Sequence, residues 1–77
     1  MKLQKLRHLS PYHRPTALAL IYCGMSLETI EGIISDFEGE GSEIERVKRA
    51  ASELQLTLAR VVIAQHEAKE AVLSRYQ

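Results

Sequence analysis

Three histidines, one cysteine and ten carboxylates are the groups from which this sequence would have to build catalysis or a metal site. Cys23 with His8 or His13 would supply a nucleophile and a base. A working pair also needs a third group to orient the base and donors for an oxyanion, and no residue pattern provides either. At the end of the apolar run 17–23 the thiol reads instead as a small hydrophobe. His66 and Glu70 are spaced one helical turn apart, so both would reach a single ion. A structural site takes about four ligands, and two do not make one. The sequence therefore leads us to expect no enzyme, no metal, no cofactor and no small-molecule substrate.

The next group that could do chemistry is basic. Lys2, Lys5, Arg7 and Arg14 all precede the first carboxylate, Glu28, and such an arm suits phosphates or an acidic partner. Behind it, Ala17 to Ile34 has the helix, Gly-Met-Ser turn, helix pattern of a DNA-binding unit. The second of these helices is acidic, however, with Glu28, Glu31 and Asp36, and would repel phosphates in a groove. A solvated basic terminus accounts for the arm as well. Net charge is zero, but the signs are sorted along the chain: no basic residue interrupts the seven carboxylates from Glu28 to Glu45. That sorting suggests pairing within the chain, between subunits or with a charged partner.

What must position these groups is a single small domain over 1–77. A chain of 77 residues buries only about 60% of the surface its unfolded form exposes. Small folds add disulfides, a metal or a second copy, and one cysteine leaves the last of these. No segment approaches the roughly 18 uncharged apolar residues of a membrane span. The basic residues before the run 17–23 faintly suggest a signal peptide, but no small-residue cleavage site follows. A reducing, cytoplasmic setting is expected.

Along the chain, 1–14 reads as a basic arm in which Leu3, Leu6 and Leu9 suit a short helix ending near Ser10-Pro11. Pro15 opens a helix over about 15–23, stopped by Gly24, which tolerates the left-handed backbone. Ser26 caps a second over about 27–37, with Leu27, Ile30, Ile34 and Phe37 on one face. An acidic glycine-rich loop follows at 38–41. Ser42 and Glu45 have capping-box spacing, and from about 43 to 76 neither glycine nor proline interrupts.

The fold expected is therefore all-α: a short helical hairpin packed on one long C-terminal helix. Ile44, Val47, Ala51, Leu54, Leu58, Val61, Gln65, Ala68 and Val72 recur along that helix at alternating steps of three and four. That is the spacing of a coiled-coil seam as well as of a core-facing stripe. Leu56, Ala59 and Ile63 lie nearly opposite the seam, so burial is required on both sides. The helix would run roughly 50 Å, against about 30 Å for the two before it. One face is expected to take the hairpin and the other a second chain, in a helical bundle or an antiparallel coiled coil.

The run Gly24-Met25-Ser26-Leu27-Glu28-Thr29-Ile30, followed by a short helix, a loop and one long helix, resembles part of the MerR family of transcription regulators. The resemblance covers about 21–76 and omits the winged helix that reads DNA in that family. It implies a dimerising long helix. The function expected is that of a small regulatory or adaptor protein, a homodimer that binds a further protein, such as a DNA-binding one, with Leu56, Ala59 and Ile63 as candidate contacts. The alternative is a small helix-turn-helix-like DNA-binding regulator that uses Lys2, Lys5, Arg7 and Arg14.

Overall fold

A computed structural model describes residues 6–76. Within them the chain is all-helical: a 3-10 turn at Leu6–His8, then α1 (Arg14–Tyr22), α2 (Leu27–Glu38) and α3 (Glu43–Ser74). The two short helices form a hairpin that packs on the N-terminal two thirds of α3, with α2 making the larger contact. Where a short N-terminal helix is expected, the described part is a single 3-10 turn. Arg14 closes that turn, donating from Nε to the carbonyls of Leu6 and Leu9 (both 3.1 Å) and from a terminal nitrogen to Arg7 O (3.0 Å).

Local chemistry sets each boundary. Pro15 occupies the first turn of α1, where its missing N–H breaks no hydrogen bond. Gly24, at φ 102°, ends the helix. Met25 N–H reaches back to Leu20 O and Gly24 N–H to Ile21 O, so the last carbonyls of α1 are satisfied. Ser26 Oγ then accepts from Thr29 N–H to open α2, and Ser42 Oγ accepts from Glu45 N–H to open α3. Between α2 and α3, Gly39 sits at φ 65°, ψ −154°, a region essentially reserved for glycine.

The core is small and lies where the three helices meet. Leu20, Ile30 and Leu54 are fully enclosed, with Leu6, Ala17, Ile34 and Ala50 around them. Leu18, Ile21, Met25, Ile33, Leu58 and Val61 pack at its margin. Each fully buried large apolar side chain contributes about 1.5–3 kcal/mol. Ala50 and Leu54 set the close approach of α3 to the hairpin, and past Val61 no residue of α3 is buried or half-buried. The shape follows: 53 × 28 × 16 Å, with a radius of gyration of 14.8 Å, against about 11.5 Å for a compact chain of this length. No helix among the described residues is long and apolar enough to cross a membrane.

Candidate protein-interaction surface

The long helix carries three apolar faces, and the structure treats them differently. Its first face belongs to the hairpin. Of the nine seam positions, Leu54 is fully buried against α1 and α2, and Leu58 and Val61 pack at the core margin. Val47 and Ala51 are half-buried. Ile44, Gln65, Ala68 and Val72 are exposed. The middle of the seam is thus covered by the chain itself, and only its two ends remain open.

The opposite face, with Leu56, Ala59 and Ile63, is exposed along its length. No hairpin residue covers Leu56 or Ile63, which are 50% and 56% exposed. A third stripe runs between these two faces and is the one sequence spacing did not single out. Val62 follows Ile44 by five helical turns at about 3.6 residues per turn, so the two lie in line. Leu73 falls about 20° from that line. All three are at least half exposed, Ile44 at 68%. At its N-terminal end the stripe is hollow: Pro11 and Tyr12 stand beside Ile44, Val47, Lys48 and Ala51, enclosing a mainly apolar groove of about 510 Å³.

Three polar side chains hold the hairpin against α3, and a fourth fixes the N-terminal turn beside it. His13 is buried, and its Nε2 meets the carbonyl of Val47 at 3.1 Å; a carbonyl only accepts, so the ring carries a proton on Nε2. Gln65 Nε2 donates to Cys23 O at the end of α1 (2.8 Å). Arg49 donates from Nε to Glu38 O (2.6 Å) and from a terminal nitrogen to Glu40 O, meeting carbonyls that the end of α2 leaves free. Arg14 holds the N-terminal turn as described. Sequence reasoning assigned none of these roles, although Gln65, the lone polar residue in an apolar seam, was a signal.

The basic arm is only partly within view. Lys2 and Lys5 lie outside the described residues, and Arg7 is exposed. Arg14 is half-buried and engaged with backbone carbonyls. The acidic stretch meets basic residues of α3 at its end, where Arg46 lies 3.9 Å from Glu38. Glu28, Glu31 and Asp36 stay exposed on α2.

The groups considered for catalysis are not brought together. His13 precedes α1 and Cys23 follows it, so about 15 Å of helix separates them. His8 lines a small hollow with His13 at the same distant end. His66 Nε2 and Glu70 meet at 3.2 Å on the exposed part of α3. No group of three metal-ligating side chains occurs among the described residues. No family model, curated protein or solved structure matches the sequence.

Proposed function

We propose that this protein is a small regulatory or adaptor module that acts by binding protein chains, a second copy of itself among them, through the uncovered length of α3. One observation carries the reading. The hairpin reaches only as far as Gln65, while α3 continues to Ser74 and presents Ile63, Val72 and Leu73 to solvent. Ile63 and Val72 face opposite ways, so this length of the helix leaves apolar groups in water on more than one side, each open to contact with another chain. The resemblance of 21–76 to the dimerising part of MerR-like regulators supports the same reading and suggests a DNA-binding protein among the partners. The lone thiol of Cys23 is consistent with a reducing cytoplasm.

Direct DNA binding has less support. Arg14, one of its four candidate contacts, holds backbone carbonyls, and the helix that would enter a groove presents Glu28, Glu31 and Asp36. The test is recovery of the tagged full chain from its native cell, with bound chains identified before and after nuclease. The proposal expects untagged copies of the same chain and a second protein, both retained after nuclease. Recovery of nucleic acid alone would contradict it.

A further inference from the structure

Charge on α3 is sorted by face, and the Ile44–Val62–Leu73 stripe takes one sign of it. At about 100° per residue, Ala51 and Leu58 fall on the hairpin side of this stripe, and Lys48 and Lys69 lie within about 40° of its line. The carboxylates of the helix, Glu43, Glu45, Glu53, Glu67 and Glu70, all lie about 80° or more away from it. Pairing divides the cations in the same way. Arg46 faces Glu38, Arg60 faces Glu53, and Arg49 donates to backbone carbonyls. Lys48 and Lys69 are exposed, and neither meets a carboxylate or a carbonyl among the described residues. His66, also near the line, is already engaged by Glu70. The stripe has shape as well as sign: Lys48 stands on the rim of the apolar groove beside Pro11 and Tyr12, where Glu43 in the first turn of α3 is the one carboxylate.

We propose that this stripe is the docking face for an acidic amphipathic helix of a different protein. The inference rests on the reading of α3 as a contact helix and adds the chemistry of its partner. Apolar residues at three-and-four spacing on the incoming helix fill the groove and cover Val62 and Leu73, while its carboxylates meet Lys48 and Lys69. Those lysines are 21 residues apart, so a partner helix of about 31 Å spans both. Charge argues against a second copy in this place. Two stripes in full overlap set Lys48 against Lys48 when parallel and near Lys69 when antiparallel, like on like in either case. The acidic helix α2 of a second copy fits no better, because its apolar residues Ile30 and Ile34 are already buried in its own core. Two cations about 31 Å apart also give a duplex or an anionic bilayer little to hold at physiological salt.

The test titrates the full-length chain into fluorescent helical peptides of about 21 residues, read by anisotropy. One peptide carries leucines at three-and-four spacing flanked by glutamates, a second the same leucines flanked by lysines, and a third the glutamates with serines in place of the leucines. The proposal expects the first alone to bind, more weakly as salt rises. In the double variant Lys48→Glu, Lys69→Glu the preference should reverse, the acidic peptide losing about tenfold or more and the basic one gaining. Val62→Asp should abolish binding, and Leu56→Asp, on another face, should leave it unchanged. Both of these residues are half exposed, so each variant should keep its helical signal. Equal binding of the two leucine peptides overturns the proposal, as does loss on Leu56→Asp in place of Val62→Asp. Retention on duplex DNA or phosphatidylserine vesicles without peptide binding overturns it too. If no peptide binds while the native chain sediments as a dimer, the acidic partner is refuted and α3 stands as a contact helix. A native monomer that binds the acidic peptide keeps the inference and refutes self-association.

Discussion

Leu54→Ala should be the most damaging single truncation on the long helix, and Leu56→Ala, two residues away, among the mildest. Leu54 is fully buried where both hairpin helices meet α3, whereas Leu56 is half exposed on the far side. Removing the buried side chain forfeits its transfer free energy and leaves a cavity, at a cost of about 2.7–5 kcal/mol. At Leu56 the loss should stay below about 1 kcal/mol. A chain of this length has roughly 4–12 kcal/mol of total stability, so the first change consumes a large fraction of it. The corresponding fall in Tm exceeds about 10 °C. Thermal and urea unfolding followed by circular dichroism would measure both, at one fixed protein concentration because association adds to apparent stability. If Leu56→Ala costs as much as Leu54→Ala, the hairpin covers the opposite face of α3 and the packing described above is wrong.

Gly39→Ala should cost about 1–3 kcal/mol, because its backbone region excludes side chains and a Cβ there would stand 3.2 Å from Arg49 Nε. A change under a few tenths in urea unfolding would show that the α2–α3 link relaxes freely. Gln65→Ala should lose about 1 kcal/mol by freeing Cys23 O, with faster amide exchange at the end of α1 as the local readout. If exchange there is unchanged, the bond does not hold the hairpin. Duplex DNA should show no sequence-dependent retention at physiological salt. If the basic residues do contact phosphates, affinity will fall with salt at a log–log slope of about −0.9 per contact.

The helices and their ends were legible because the signals are local. Gly24 ending α1, Ser26 opening α2 and Ser42 opening α3 each act within a few residues of themselves. Of the N-terminal leucine spacing, Leu3 lies outside the described residues, and the described part of that segment is one 3-10 turn closed by Arg14. What spacing left open was which face of α3 takes the hairpin. Leu54, Leu58 and Val61 satisfy the pattern of a core stripe and of a coiled-coil seam alike. The bonds of His13, Arg49 and Gln65 were hidden for a related reason: they end on backbone carbonyls 34, 11 and 42 residues away. Every residue has a carbonyl, so residue type gives no hint of the partner. The Ile44–Val62–Leu73 stripe was missed because Gln55 and Lys69 interrupt it in sequence, and only the groove beside Pro11 and Tyr12 marks it as a surface.

The central claim, that α3 is a contact helix completed by another chain, is tested most directly by sedimentation of the native protein from low to high micromolar concentration. The account predicts a reversible rise from the 8.7 kDa monomer to twice that mass. A chain that keeps its full helical signal and sediments as a monomer throughout would contradict it.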